Sequence, residues 1–280
     1  MPELPEVETV VRYLKPDLIG QRIKSFQSYW PKVLGNVDDK YFHVLTKGHV
    51  ILDVTRRAKF IVMHLENGYI PIHLRMTGRL YPNDRIPDEK HISAVFQLSD
   101  KVLIFKDTRK FGRIYWYDKW SEFDNKHGLE PLGEQFTKEW LVQSLHSKKR
   151  QMKALLLDQH LIAGLGNIYV DETLWTARIH PLTTSNKVST FKLKKFTNQL
   201  KLYLNRQLLI MEPHLLTSPS KMVCPDPTVI NSRFLIGQEI LAKNVIRLLK
   251  RSALPGAGHI FVLIVKKDKL YFNVKNKVNK

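Results

Sequence analysis

The 280-residue sequence contains a single cysteine, Cys224. One thiol excludes an intrachain disulfide and any cysteine-rich metal centre. Long apolar runs are missing too. The longest, IFVLIV at 260–265, falls far short of the ~20 residues that a membrane-spanning helix needs. The opening residues lack the basic region of a secretory signal, because Glu3, Glu6 and Glu8 stand in its place. No long basic amphipathic helix points to a membrane surface. The 11 histidines are scattered, and the nearest pair, His64 and His73, lacks metal-ligand spacing, so both read as strand or core histidines. No internal repeat is visible. The expectation is a protein with no membrane partner, no bound metal and no diffusible cofactor.

What is abundant is positive charge. Against 26 Asp and Glu stand 45 Lys and Arg, a formal net charge of +19. With an isoelectric point near 9.9, the chain suits a polyanion, and nucleic acid is the expected partner. The length allows two modest domains. Over 1–16, Leu4, Val7, Val10, Val11 and Leu14 recur at helical spacing. Pro5, Glu6 and Glu8 suit the first turn of that helix, and Pro16 and Gly20 are expected to close it. From about 21 to 118, short β-rich runs such as HVILDV, KFIVMHL, SAVFQL and VLIFKD alternate with turn residues, as in a β-sandwich or barrel. A polar stretch holding Gly128, Pro131 and Gly133 reads as a connection, and helical spacing follows from 136. The predicted class is α+β, with a β-sandwich or barrel over 1–130, a linker over 131–145, a helical region over 146–212, and a loop and terminal hairpin over 213–280.

Three stretches carry chemistry. MPELPEVETV places Pro2 behind the initiator methionine, which a residue as small as proline allows to be trimmed. The secondary amine so exposed, with a pKa near 8, is about one-tenth free base at pH 7, against roughly one part in a few thousand for a lysine. Such an amine suits attack on a carbonyl or masked-aldehyde carbon to form a Schiff base, with Glu3 beside it to move a proton. The same residues also make an ordinary helix start. In HLRMTGRL (73–80) and DTRKFG (107–112), Met76 lies near Arg75 and Arg79, and Phe111 near Arg109. Either these apolar side chains wedge into a base stack while an arginine meets an unpaired base edge, or they face the core from two β-turns. In 155–181, two helical runs flank Gly164 and Gly166, and a glycine turn at a helix N-terminus can offer backbone N–H groups to a phosphate. The upstream run KKRQMK adds Lys148, Lys149, Arg150 and Lys153, although any helical hairpin could contain such a turn.

Together MPELPEVETV, RRAKF (56–60), HLRMTGRL, KH (90–91), DTRKFG and ALLLDQHLIAGLGNIYVDETLWTARIHP (154–181) resemble the bacterial formamidopyrimidine-DNA glycosylase family. Order and spacing agree over roughly residues 1–182. The resemblance implies an N-terminal β-sandwich and a C-terminal helix–two-turns–helix domain, with damaged duplex DNA between them and the damaged nucleotide flipped out. It implies that the Pro2 amine attacks C1′ of the deoxyribose, expels the oxidised base, and allows β- and δ-elimination through the Schiff base. Glu3 is then the general acid/base on the sugar, and Lys59 assists elimination. Met76, Arg109 and Phe111 fill the gap left by the flipped base, while His91, Lys148, Lys153 and Asn167 hold phosphates. It further implies a cytoplasmic, nucleoid-associated enzyme of base excision repair, and a monomer is the expected state.

The end of the chain departs from that family, whose members usually finish in a four-cysteine zinc finger with a DNA-contacting arginine. Here HIFVLIVKKDKLYFNVKNK follows instead. It is expected to form a zinc-free hairpin, with Lys266, Lys267 or Lys269 in the place of the arginine, or else to add only nonspecific affinity. Residues 206–250 do not align with the family's base-capping loop. Two alternatives therefore stay open: a shift toward oxidised pyrimidines or abasic sites, and a non-catalytic DNA- or RNA-binding protein on the same scaffold. In either case duplex DNA affinity is expected to drop by at least about tenfold between about 50 and 200 mM salt, because several Lys and Arg release counterions. Fluorescence anisotropy against salt checks this, and a flat response would remove the DNA-groove reading.

Overall fold

The computed structural model describes residues 1–211 and, as backbone, two strands at 259–266 and 269–276. Lys267 and residues 212–258, which hold most of the stretch that does not align, lie outside the described residues. Helix α1 (Leu4–Leu18) is followed by β1 (Ser25–Ser28), α2 (Asp39–Thr46), β2 (Ile51–Arg57), β3 (Phe60–Leu65) and β4 (Tyr69–His73). Next come β5 (Gly78–Asn83), β6 (Ile92–Gln97), β7 (Val102–Asp107) and β8 (Arg113–Ile114). Helices α3 (Trp120–Asp124), α4 (Lys138–His146), α5 (Met152–Leu156), α6 (Asn167–Ala177) and α7 (Thr190–Met211) complete the larger unit.

The strands form two four-stranded antiparallel sheets, β1-β6-β7-β5 and β2-β3-β4-β8. Alternate residues of both sheets, among them Phe26, Val54, Met63, Ile72, Phe96 and Phe105, close on one core. This is the sandwich alternative of the sequence reading, and the architecture is α+β. The edges of β2 and β3 are joined by only Ala58 and Lys59, so Lys59 stands at a tight hairpin tip.

Helix α1 belongs to both halves of this unit. Val7, Val10, Val11, Leu14 and Leu18 are buried in the sandwich core. Leu4 is instead buried with Phe136, Leu141, Leu155, Leu165, Val170 and Leu200 among the helices. Pro16, expected to close α1, lies inside it. A proline removes one N–H but does not prevent another turn, and burial of Leu18 together with the Ile19 N–H bond to the Lys15 carbonyl (3.2 Å) carries the helix past it. Residues 138–146, within the stretch expected as a linker, form α4, whose Leu141 and Leu145 are fully buried.

The hairpin at the end of the chain, taken by itself, consists of β9 (His259–Lys266) and β10 (Lys269–Asn276) in antiparallel register from Lys269 opposite Lys266 to Asn276 opposite His259. The expected terminal hairpin is thus present in the backbone.

Gly128 marks the tightest backbone crossing of the larger unit. Its N–H donates to the Gln159 carbonyl (2.8 Å), and a Cβ added there would lie 2.2 Å from the Leu161 carbonyl oxygen. Backbone cannot yield as a side-chain tip can. Gly128→Ala is expected to destabilise the fold by about 1–3 kcal/mol, read as a lower denaturant midpoint at unchanged slope.

Candidate active site

The beginning of the chain is fastened to the middle of it. Glu3, which is 3% exposed, directs its carboxylate at the N-terminus of α6. The Gly166 N–H donates to Oε2 at 2.8 Å, the Ile168 N–H to Oε1 at 3.0 Å and the Tyr169 N–H to Oε2 at 3.4 Å. The Leu4 N–H donates to the Gly164 carbonyl at 3.0 Å. The two glycines are needed for this approach. Gly164 has φ +86°, and a Cβ on Gly166 would lie 2.4 Å from the Glu3 carboxyl. The glycine turn was read as a ready phosphate site. In the structure the N–H groups of Gly166, Ile168 and Tyr169 are directed at the protein's own carboxylate. The helix-terminus argument holds, but the anion is internal.

A second carboxyl backs the first. Glu6 Oε2 accepts from the Glu3 N–H (2.9 Å), and Glu6 Oε1 accepts from the Tyr169 hydroxyl (2.7 Å). Burial pushes the Glu3 carboxyl above the ordinary carboxylate range, against the opposing N–H of Ile168, and the negative charge of Glu6 adds to the rise. Burial raises Glu6 as well, against the Tyr169 hydroxyl that stabilises its anion. The proton on Glu3 is therefore retained to higher pH than on a free glutamate. Burial has the reverse effect on Lys59, whose ammonium is pushed below the usual lysine range while the negative charge of Glu3 opposes the shift.

Lys59 is held at its hairpin tip by charge. Ala58 adopts φ +54°, a conformation that a non-glycine residue keeps only under constraint. The constraint is Glu130, whose Oε1 accepts from the Ala58 N–H (2.7 Å), while Arg56 Nη1 donates to the Ala58 carbonyl (3.0 Å). Arg57 binds Asp124, Glu130 and the carbonyls of His127 and Gly128 at once. These are partly buried, multidentate pairs, so they position rather than merely decorate.

Of the other expected residues, Met76, His91, Arg109 and Phe111 fall on exposed turns. Met76 is 50% exposed and Phe111 47% exposed, so neither faces the core. Arg109 connects them: its Nη1 lies 3.1 Å from the Met76 sulfur, and its guanidinium sits 4.8 Å from the Phe111 ring centre. His91 is exposed at φ +71°. Lys148 and Asn167 are exposed, whereas Lys153 pairs with Asp171 (2.8 Å). Pro2 is half-buried directly before Glu3. Of Ile168, Trp175 and Ile179, which helical spacing expects on one side, Ile168 and Trp175 are exposed on α6 while Ile179, beyond its end, is buried, and the helix buries Tyr169, Val170 and Leu174.

Glu6, Tyr169, Glu130 and Asp107 were not singled out by sequence. Only Glu6 had a local signal, three residues after Glu3 at a helix start, the spacing of a capping box. Among the described residues no group of three or more His, Cys, Asp or Glu side chains converges as a metal site. With one cysteine, the chain cannot supply four thiolates to a zinc finger. No helix among the described residues is long and apolar enough to cross a membrane.

Comparison with known proteins gives consistent matches. Residues 1–114 match the family model described as the formamidopyrimidine-DNA glycosylase N-terminal domain, and residues 127–212 match that of the formamidopyrimidine-DNA glycosylase H2TH domain. A formamidopyrimidine-DNA glycosylase of Chloroflexus aurantiacus is 46% identical over 189 residues, covering 65% of this chain and 68% of that protein. One from Protochlamydia amoebophila is 40% identical over 210 residues, covering 74% and 76%. A crystal structure of the Lactococcus lactis formamidopyrimidine-DNA glycosylase, noncovalently bound to DNA containing an AP site, superposes with a TM-score of 0.70 at 31% identity over 75% of this chain and 82% of that one.

His73 supports the Met76 turn from inside, its Nδ1 accepting from the Arg75 N–H (3.0 Å). Burial, with the positive charges of Arg75 and Lys59, pushes its imidazole down to about 3. An unfolded chain binds this proton near pH 6.5 and the folded chain does not, so stability is full above pH 6.5 and falls as pH drops toward 3. His73→Asn, whose side-chain carbonyl can keep the Arg75 bond without titrating, is expected to flatten this acid limb by about 1 kcal/mol or more. Melting temperature against pH, parent beside variant, checks it.

Proposed function

The chain belongs to the formamidopyrimidine-DNA glycosylase family, and from that membership we propose that it excises oxidised bases of the formamidopyrimidine and 8-oxoguanine class from duplex DNA. It acts in base excision repair as a glycosylase with AP-lyase activity, as a monomer in the cytoplasm at the nucleoid. The catalytic half spans 1–130, and the helical DNA-binding half runs to 212 and includes α4 from the 131–145 stretch, since Leu141 and Leu145 belong to its core.

The observation that carries this reading is the Glu3 carboxyl, buried with a raised proton affinity, fixed by three N–H groups and placed next to Pro2. With Met1 removed, the Pro2 nitrogen attacks C1′ of a flipped deoxyribonucleotide, the bond from C1′ to the base breaks with its electron pair leaving on the base, and the proton of the attacking amine passes to the departing base. Glu3, holding its proton to higher pH than a free glutamate, donates it to the sugar ring oxygen as the ring opens, leaving a Schiff base between Pro2 and C1′. The iminium acidifies the neighbouring C2′ proton. A base removes it, and the 3′ phosphate leaves by β-elimination, followed by the 5′ phosphate in δ-elimination. Lys59, with its ammonium made easier to deprotonate by burial, assists at the elimination stage.

Binding follows the same division of labour. Met76, Arg109 and Phe111 occupy the space of the extruded nucleotide, with Arg109 meeting the orphaned base. His91, Lys148, Lys153 and Asn167 hold phosphates. Lys153 exchanges its exposed partner Asp171 for a phosphate at little cost, since surface pairs contribute only about 0–1 kcal/mol.

Borohydride reduction on an abasic-site duplex tests the mechanism. A covalent adduct is expected from the parent and none from Pro2→Gly, while Glu3→Gln is expected to lower base excision by about 10²-fold or more with DNA affinity kept within a few-fold. Absence of an adduct from parent protein lacking Met1 would leave only the binding protein. A panel of oxidised purine, oxidised pyrimidine and abasic duplexes then orders the substrates.

A further inference from the structure

We propose that Thr77 and Asp107 clamp the turn carrying Met76 to the turn carrying Arg109 and Phe111, so that the three side chains enter a duplex as one unit rather than as independent contacts. The inference rests on the wedge role proposed for those three residues, and adds two positioning residues to it. Asp107, at the end of β7, is 1% exposed. Its carboxylate is shared between the turns. Oδ1 accepts from the Thr77 hydroxyl and from the Arg109 N–H (3.1 Å), and Oδ2 accepts from the Gly112 N–H (2.7 Å). The Arg109 N–H is also 3.2 Å from Thr77 Oγ1, so Thr77, Asp107 and Arg109 form a closed triangle across the two turns. The Asp107 backbone reaches a third turn, its N–H donating to the His91 carbonyl (2.9 Å).

The turns cannot separate cheaply. Opening the triangle leaves a buried carboxylate short of donors, a larger loss than the bond itself. Gly112 leaves no slack, because a Cβ there would lie 2.4 Å from the Phe105 ring. Arg75, His91 and Lys110 all hold left-handed φ values of 55°, 71° and 56°, and the turns that carry them converge on Asp107. Non-glycine residues stay in that region only where surrounding bonds over-determine them. At the exposed end, the Arg109 side chain touches both Met76 and Phe111, so the tips as well as the bases of the turns are joined. A pre-assembled wedge avoids ordering three flexible side chains separately at the moment of insertion.

The test is a double-mutant cycle on the full chain, read as Kd for a duplex holding a tetrahydrofuran abasic analogue. Met76→Ala, Arg109→Ala and their combination are compared in the parent, Thr77→Ser, Thr77→Val and Asp107→Asn backgrounds. In the parent and in Thr77→Ser, which keeps the hydroxyl, the double variant is expected to bind at least about threefold tighter than the product of the single losses predicts. In Thr77→Val and Asp107→Asn that excess is expected to vanish to within about twofold. A purely structural defect lowers all affinities alike and leaves the excess in place. Thr77→Val has the shape of threonine and keeps the test available if Asp107→Asn does not fold. An excess of the same size in Thr77→Val, or none in the parent, overturns the clamp. If neither single alanine variant weakens binding, the wedge reading itself fails and takes the clamp with it, an outcome visible in the single variants alone.

Discussion

The contact on which this molecule turns joins residue 3 to residues 166–169. A carboxylate satisfied by three backbone N–H groups at a helix start is fixed in position and orientation, because each oxygen has a donor direction to meet. The sandwich and the helices each have their own apolar core, but neither core alone determines where Pro2 lies. That position follows from Glu3 on α6, from Leu4 in the helical core and from the Glu6–Tyr169 bond behind them. Charge and backbone geometry, together with Leu4, therefore place the start of the chain, while hydrophobic burial supplies the frame.

The same logic recurs at a distance from the chain start. Among the described residues, five non-glycine residues hold a positive φ: Ala58, Arg75, His91, Lys110 and Arg178. Four of them lie in or beside the hairpin tip and turns that carry Lys59, Met76, His91, Arg109 and Phe111. The Lys59 tip is held by the Glu130 side chain, the Met76 turn by His73, the Arg109 and Phe111 turn by the Asp107 carboxylate, and the His91 turn by the Asp107 backbone N–H. Strain concentrated in this way belongs to segments whose shape matters more than their stability. The ordinary turns of the sandwich show no comparable grouping.

Much of this was legible in the amino-acid order. Alternating apolar residues in KFIVMHL and VLIFKD gave the paired strands, and Leu4, Val7, Val11 and Leu14 gave α1, because periodicity is a local property. The glycine turn was recognised, but its occupant was not. Nothing within a few residues of Gly166 indicates that Glu3, more than a hundred and sixty positions away, fills it. Asp107 looked like any residue beginning a turn, since its importance comes from Thr77 and Gly112 meeting it in space. The extension of α1 through Pro16 was hidden for a similar reason, as the burial of Leu18 outweighs a local helix-stop signal. For Met76 and Phe111, composition permitted either a core or a surface role, and only their exposure in the fold separates the two.

Helix α1 inserts one end into each core, which has a consequence for modularity. Many proteins with a catalytic half and a nucleic-acid-binding half can exchange those halves through recombination, because the joint between them is a tether. Here the opening helix is a shared structural part, with Leu4 seated on one side and Val7 through Leu18 on the other. A transplanted sandwich would arrive with an unfilled apolar socket to satisfy in its new host. The two halves are therefore bound to diverge together, and variation has its freest ground in segments that α1 does not touch.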